Sequence, residues 1–139
     1  MTVEDRRFVV ETKSGLDIKN ITEKGEKLVR ESGINEGTVT FFVAGSTAAI
    51  TTIEYESGLI YDISEALDRL FPKDIYYKHH EKWHDGNGHS HIRDSFIGQS
   101  FTAPITDGKI ELGTWQQIIL CDMDVKARNR EVIVKMIGE

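Results

Sequence analysis

The stretch Phe101-Thr-Ala-Pro-Ile-Thr-Asp-Gly-Lys-Ile-Glu-Leu112 carries the strongest turn signal in the chain, an Asp-Gly pair between two short strand-like runs. An Asp-Gly pair suits the two-residue loop that joins neighbouring antiparallel strands, because both positions tolerate positive φ. We therefore predict a tight hairpin in which a strand over 101–105 pairs with a strand over 109–112. An antiparallel sheet is thus the starting point for the fold.

Further strand-like segments lie on both sides of this hairpin. Upstream, Val3 to Thr12 has charged neighbours typical of an edge strand, and the β-branched segments Thr38 to Val43 and Thr47 to Ile53 are predicted to pair. Downstream, Gln117 to Met123 and Glu131 to Ile137 are apolar at nearly every position. Both faces of these last two strands are therefore expected to be covered, in part by another subunit.

Two segments show the one-sided apolar pattern of a helix. The first runs from Ile21 to Ser32, with Asn20 as the expected N-cap, Glu23 at the capping-box position and Gly33 as the stop. The second runs from Gly58 to Phe71. About eight strands and two helices with short connections predict an α+β fold built mainly from antiparallel sheet.

Length and composition fit a single domain over residues 1–139. The formal net charge of −6 argues against a nucleic-acid surface, and there is no polybasic segment to hold a membrane. The lone cysteine, Cys121, cannot form an intrachain disulfide and is expected to be buried and inert. Residues 1–20 contain no apolar leader segment, and no run approaches the roughly 20 apolar residues of a membrane helix. We therefore expect a cytoplasmic protein.

All five histidines lie within thirteen positions, in the segment His79-His-Glu-Lys-Trp-His-Asp-Gly-Asn-Gly-His-Ser-His91. Histidine titrates near neutrality and is the commonest metal ligand, so the segment allows proton transfer, metal binding or both. His80 and His84 have helical spacing, but the two nearby glycines argue against a long helix here. We predict instead a loop over 81–88 that leads into a strand, on which His89 and His91 point to the same face.

A zinc site needs three or four ligands, so a residue from the start of the segment has to fold back across the loop. The predicted set is His79, His89 and His91, with Glu54 or Asp85 as the general base. The alternative is that several of these histidines are surface residues without chemistry. Guanidiniums suit phosphate, so Arg128 and Arg130 are candidates to bind it, but solvent-facing charge is the preferred interpretation. Trp115 either stacks on a heteroaromatic substrate or packs in a core or interface.

Three motifs resemble the YjbQ-like family, whose assigned activity is secondary thiamine-phosphate synthase. They are 86–100 (Gly-Asn-Gly-His-Ser-His-Ile-Arg-Asp-Ser-Phe-Ile-Gly-Gln-Ser), 104–118 (with Leu-Gly-Thr-Trp-Gln after the Asp-Gly hairpin) and 46–50 (Ser-Thr-Ala-Ala-Ile) followed by Glu54. The resemblance covers nearly the whole chain. It implies an α+β subunit assembled as a homotrimer, with a histidine-lined site near subunit boundaries. The implied activity is weak coupling of hydroxymethylpyrimidine diphosphate to thiazole phosphate with release of pyrophosphate.

Carried over by position, the resemblance implies the following site residues: catalytic His79, His91, Glu54 and Asn87, and substrate-binding Thr47, Trp115 and Gln116, to which we add Arg93 for phosphate. A divalent metal, Zn²⁺ or Mg²⁺, and a small phosphorylated substrate are the expected cofactor and ligand. Many relatives have His-Thr-Thr-Ala where this chain has Gly45-Ser46-Thr47-Ala48. We expect His89 or His84 to fill the place of the missing imidazole.

Two other functions stay open beside the transferase. One is a zinc-dependent hydrolase or lyase acting on a small phosphorylated or carbonyl metabolite. The other is a trimeric binding module, without catalysis, whose histidines recognise an anionic ligand.

Overall fold

The computed structural model describes all 139 residues. Eight strands and four helices follow one another along the chain: β1 Thr2–Thr12, β2 Asp17–Asn20, α1 Thr22–Ser32, β3 Gly37–Val43, β4 Ala48–Glu54, α2 Ser57–Leu70, α3 His79–Trp83, α4 Gly88–Ile97, β5 Ser100–Thr106, β6 Lys109–Ile110, β7 Gln116–Asp122 and β8 Arg128–Gly138. The strands form a five-stranded sheet in the order β1-β8-β3-β5-β6 and a three-stranded sheet in the order β2-β7-β4. Every pairing is antiparallel, which confirms the predicted α+β class.

The three-stranded sheet lies between two apolar cores, because successive side chains of a strand point to opposite faces. Ile118 and Leu120 of β7 face the five-stranded sheet and join the main core. Ile119 and Cys121 face the other way and join a second core, against which side chains of α2 and α4 pack. Both faces of β7 are therefore covered, as its apolar sequence predicted, and its own chain does the covering.

Strand β8 is covered on one face by its own chain. Val132, Val134 and Met136 are fully buried, whereas Ile137 is 41% exposed and Lys135 is exposed. Only one face of β8 is covered within the chain, and its outer face is open. Strand β1 lies at the sheet edge, as predicted.

The Asp107-Gly108 hairpin is confirmed. Thr106 pairs with Lys109 across the turn, and φ is 51° at Asp107 and 74° at Gly108, the pattern of a type I′ turn. The predicted pairing of β3 with β4 is wrong, because the chain crosses between them from the five-stranded to the three-stranded sheet. Local sequence signals identified both strands but carried no information on their partners.

Four helices are present where two were predicted. Helix α1 lies within its predicted range and ends at Gly33 in the left-handed conformation, as predicted. The predicted N-cap, Asn20, is wrong: Ile21 is the N-cap residue and makes no side-chain capping bond, while the Asn20 side chain accepts a hydrogen bond from Thr22 N–H. Helix α2 begins after Glu56, whose carboxylate accepts hydrogen bonds from Gly58 and Leu59 N–H. None of the helices has the length and apolar character needed to span a membrane.

The two unpredicted helices, α3 and α4, occupy the histidine segment. The predicted strand over His89 and His91 is wrong: both residues lie on α4, and the predicted loop is shortened to a turn. Gly88 is the first residue of α4 and does not prevent the helix. Its lack of a side chain is needed for packing, because a Cβ atom there would lie 2.6 Å from Cβ of Tyr77. Gly86 has φ 67° and lets the chain reverse between the helices. Both glycines thus serve a tight helical turn.

Candidate metal centre and its surroundings

Helices α3 and α4 bring two histidines and an acid together. His79 opens α3, Asp85 lies in the turn, and His91 lies one turn into α4. Their potential ligand atoms all lie within 4.8 Å of one another, and we refer to these three residues as the His–Asp–His cluster. His79 Nδ1 lies 3.5 Å from Asp85 Oδ1 and is buried without a hydrogen bond. A buried nitrogen left unpaired is costly, which makes this atom a candidate ligand.

Two imidazoles and one carboxylate form a donor set that suits a divalent transition metal and leaves coordination positions open. Ligand atoms in a tetrahedral zinc site lie about 3.4 Å apart, given bonds of 2.0–2.1 Å. The widest separation in the cluster therefore has to shorten by about 1.4 Å to hold an ion. His79 is the first residue of the short helix α3, and Asp85 lies just after that helix.

His89 is not part of this cluster, although it was predicted as the third metal ligand. Two positions along a helix are separated by roughly 200° around the axis, so His89 and His91 leave α4 on different sides. Asp85 occupies the third place instead. His80 and His84 show the helical pairing considered from their spacing, with ring centroids 5.3 Å apart, but both are exposed.

A buried ion-pair network fixes the start of α4. Arg130 donates from Nε to Asp122 Oδ2 at 2.6 Å and from Nη2 to Asp122 Oδ1 at 3.0 Å. Thr47 accepts from Arg130 Nη2 at 2.7 Å and donates to Asp124 Oδ2 at 2.9 Å. Asn87, the N-cap position of α4, donates to Asp124 Oδ1 at 3.2 Å. Thr47 and Asn87, both predicted to act on substrate, are thus engaged in positioning bonds.

Arg130 was expected to face solvent, but its side chain is only 11% exposed and forms an ion pair with Asp122, whose side chain is 0% exposed. Burial alone would lower the pKa of Arg130, but the hydrogen bond and charge of Asp122 raise it above its ordinary value. Arg128 keeps a 44% exposed side chain and pairs with Asp124. The sequence did contain a signal for this network: Asp122 and Asp124 follow an apolar strand and lie close to Arg128 and Arg130.

Asp124 is held as a carboxylate. Burial acts to raise its pKa, but hydrogen bonds from Lys126 N–H, Thr47 and Asn87 and the charge of Arg128 outweigh that effect and lower it. Asp124 is therefore ionised at neutral pH.

Asp94 is a further buried acid that the sequence analysis did not single out. It is 1% exposed, its Oδ2 accepts from the Gln99 side chain, and its Oδ1 has no hydrogen-bond partner. Burial raises its pKa, and the hydrogen bond from Gln99 and the nearby charges of His91 and Arg130 offset part of the rise. Asp94 is thus close enough to His91 and to Arg130 for their charges to act on it.

Gly45 adjoins this network. An added Cβ atom there would lie 3.5 Å from Arg130 Nη1, and no other side chain comes within 4 Å. The immediate neighbour of this position is therefore a guanidinium, whereas an imidazole from His84 or His89 was expected there.

Three predicted site residues lie at the other end of the small sheet. Glu54 pairs with Gln116 at one end of the β4–β7 ladder, whereas Ala48 pairs with Asp122 at the other. Six residues of strand span roughly 20 Å, so Glu54 is remote from the ion-pair network within one chain.

Trp115 is 73% exposed and lines a cleft with Glu54 and Thr114, so a core position for Trp115 is excluded. Gln116 donates to Thr52 and accepts from Gly113 N–H.

His89 and Arg93 line a separate cleft of about 350 Å³ on their side of α4. Burial lowers the pKa of His89, and the charges of Arg93 and Lys73 lower it further. Arg93 donates from Nε and Nη2 to the Phe71 carbonyl and from Nη2 to Asp68 at 3.1 Å.

These features define the class of protein: a small α+β protein whose antiparallel sheets carry a helical layer with a His–Asp–His cluster. The family model described as UPF0047 protein YjbQ-like matches residues 6–139, and the chain belongs to this family. This confirms the resemblance seen in the sequence motifs.

Relatives and solved structures match over nearly the whole chain. A UPF0047 protein of Methanothermobacter thermautotrophicus is 34% identical over 139 residues, covering 100% of this chain and 95% of the relative. A YbjQ-like protein of unknown function from Sulfolobus solfataricus P2 superimposes with a TM-score of 0.94 at 34% identity and 99% coverage of both chains. The hypothetical protein APE1520 from Aeropyrum pernix K1 gives 0.90 at 33% identity, covering 98% of this chain and 99% of that one.

Proposed function

We propose that this protein is a metal-dependent enzyme that acts on a small phosphorylated metabolite, with the His–Asp–His cluster holding the ion. The observation that carries the proposal is the convergence of three ligand atoms within 4.8 Å around a buried, unpaired His79 Nδ1. No neighbouring protein group hydrogen-bonds that nitrogen, so an ion would remove the cost of burying it.

The donor set favours Zn²⁺ over Mg²⁺. Magnesium prefers an octahedral shell of oxygen ligands, whereas two imidazoles and a carboxylate suit zinc. Once bound, such an ion supplies a Lewis acid that polarises a phosphoryl or carbonyl oxygen, or activates a water molecule.

The metal content of the purified protein tests the proposal. Protein made without an affinity tag is expected to retain about one zinc per chain after dialysis, and His79→Ala and His91→Ala are expected to lose it. His80→Ala is the matched control, because His80 is exposed and outside the cluster. Zinc that is absent from the folded wild type, or that is equal in all four proteins, would contradict the proposal.

Asn87 and Thr47, which were predicted as site residues and lie outside the cluster, have positioning roles in this proposal. Hydrogen bonds join Asn87, at the start of α4, to Asp124 and to Val125 N–H, and so fix the position of His91 relative to the sheet. Thr47 links Arg130 to Asp124 on the same side. Loss of either side chain is expected to displace α4 relative to the sheet.

The protein is further proposed to be a homotrimer in which neighbouring chains complete the site. Glu54, Trp115 and Gln116 lie at the far end of the small sheet from the ion-pair network, so one chain alone does not bring all of the predicted residues together. The exposed Trp115 ring is available for a contact with a neighbour or a substrate. Light scattering is expected to give three times the 15.8 kDa of one chain. A monomer at micromolar concentration would contradict this arrangement.

The first reaction to test is the one that the family resemblance implies, weak thiamine-phosphate synthesis. In it, the thiazole ring nitrogen attacks the methylene carbon of hydroxymethylpyrimidine diphosphate, the carbon–oxygen bond breaks and pyrophosphate leaves. Positive charge close to the leaving group would stabilise the developing polyanion. Product that forms with wild type and His80→Ala but not with His91→Ala supports this reaction. Equal product from all three proteins would contradict it.

A zinc-dependent hydrolase or lyase is the second candidate, and the cluster itself favours it. Three protein ligands leave a fourth position for water, as in known catalytic zinc sites. The proposed general base is either the buried Asp94 or Glu54 of a neighbouring chain. Zinc-dependent release of phosphate from simple phosphomonoesters, lost in His91→Ala, would distinguish this candidate from the transferase. Saturable ligand binding without turnover would instead indicate the trimeric binding module.

A further inference from the structure

We propose that the cleft beside His89 and Arg93 is a second binding site, separate from the His–Asp–His cluster, for a small metabolite that carries a phosphate group. The cleft measures about 350 Å³ and is lined mainly by polar residues. That volume falls at the small end of the range for ligand pockets, roughly 300–1,000 Å³. Helix α4 separates it from the cluster, because His89 and His91 leave the helix on different sides.

The nitrogen atoms of Arg93 give the first argument. The residue is only 5% exposed, and Nε and Nη2 are bonded to Phe71 and Asp68, whereas Nη1 makes no hydrogen bond. The bonded nitrogens fix the guanidinium plane, and the remaining N–H groups have no protein acceptor. A fixed guanidinium with free donors is well suited to a phosphate oxygen.

His89 provides the second argument. It is also 5% exposed, and its only polar contact is a long one of 3.5 Å between Nε2 and Ser90 Oγ. That hydroxyl already donates to the Met123 carbonyl at 2.6 Å. His89 Nδ1 makes no hydrogen bond and is not among the buried unpaired atoms, so His89 presents an accessible ring nitrogen to the cleft without a protein partner.

The charge of the cleft gives the third argument. Its wall contains the cations Lys73 and Arg93 and one acid, Asp68, with the hydroxyls of Ser14 and Ser64 beside them. The lining side chains carry one more cation than acid, in a chain whose formal net charge is −6. Asp124 also acts on His89, but its charge is paired with Arg128. Asp68 is bonded to Arg93 and is 63% exposed at its side chain, so solvent screens its repulsion of an anion. A local positive field on an acidic protein attracts an anion to this cleft.

Titration calorimetry with inorganic phosphate, on metal-stripped protein in chloride buffer, tests the proposal. Wild type is expected to bind saturably, and Lys73→Glu is expected to bind about tenfold more weakly because it reverses a charge at the cleft wall. Lys78→Glu is the matched control, since Lys78 is exposed and does not line the cleft. Absence of saturable binding, or equal affinity in Lys73→Glu and Lys78→Glu, would overturn the proposal.

Two further measurements separate this site from the metal centre. His91→Ala is expected to bind phosphate like wild type, whereas loss of binding in that variant would place the anion at the cluster and overturn the inference. Phosphate is also expected to shift the Arg93 side-chain Nε–H resonance and the Gly15 amide resonance of the wild type. Unshifted resonances at saturating phosphate would likewise contradict a site in this cleft.

Discussion

His79 and His91 lie side by side across the turn between α3 and α4, with ring centroids 4.4 Å apart and ring planes tilted by 38°. Asp85 approaches the same point from the turn, with Oδ1 3.5 Å from His79 Nδ1. A carboxylate at that distance compensates the charge of a bound cation, so its removal is expected to weaken metal binding more than it changes the fold.

Asp85→Asn is therefore predicted to lower zinc affinity by at least about tenfold, because even outer-shell substitutions at metal sites cost that much. Competition with a chromophoric chelator measures the affinity. Asp74→Asn, at an exposed acid outside the cluster, is the control. Equal zinc affinities for the two variants would remove Asp85 from the ligand set.

The Arg130–Asp122 pair is predicted to be essential for stability. Arg130→Met leaves Asp122, which is 0% exposed, without its charge partner, and breaking a buried pair in this way costs about 3–5 kcal/mol. Urea denaturation measures the loss. Arg7→Met is the matched control, since Arg7 pairs with Glu131 on the surface and its loss is expected to leave the midpoint almost unchanged. Similar midpoints for the two variants would show that the buried pair has no special role.

The lowered pKa of Asp124 predicts a pH dependence of stability. An acid whose pKa is depressed by folding stabilises the native state above its unfolded pKa, about 3.9, and that contribution disappears as pH falls through the folded pKa. Wild type is therefore expected to lose stability relative to Asp124→Asn as the pH is lowered below about 4. Urea unfolding of both proteins across the acid range provides the comparison. A stability difference independent of pH would contradict the ionised network.

Gly88 is predicted to be required by packing. Alanine is normally the better helix former, but a Cβ atom at this position would lie 2.6 Å from Tyr77 Cβ. Gly88→Ala is therefore expected to destabilise the protein by about 1–3 kcal/mol, the usual cost of overpacking. Ser95→Ala, at an exposed site on the same helix, serves as the comparison in a thermal unfolding experiment. A Gly88→Ala protein as stable as wild type would show that the close approach to Tyr77 is not limiting.

Gly88 also illustrates why the sequence analysis missed α4. By propensity alone, a glycine inside a histidine-rich segment indicates a loop. The reason for glycine at this position is the close approach of Tyr77, which depends on tertiary structure. The Asp107-Gly108 hairpin was predictable because its information is local: both residues need positive φ. The separation of β3 and β4 into different sheets was not, since strand partners are chosen by distant segments.

The site divides in the same way. The segment from His79 to His91 contains the two histidines that meet, and its histidine content alone identified it. The choice of Asp85 over His89 required the helical geometry of α4, which places the two C-terminal histidines on different sides. Arg130 looked solvent-facing because charges near a strand end usually are. Its acid partner, Asp122, lay within a run that resembled an ordinary buried strand.

Anomalous diffraction at the zinc absorption edge, from crystals of tag-free protein, tests the central claim most directly. We predict one strong peak per chain, bonded at about 2.0–2.2 Å to His79, Asp85 and His91. A peak elsewhere, such as between His80 and His84, or no peak from crystals grown with equimolar zinc, would contradict a metal centre at this cluster.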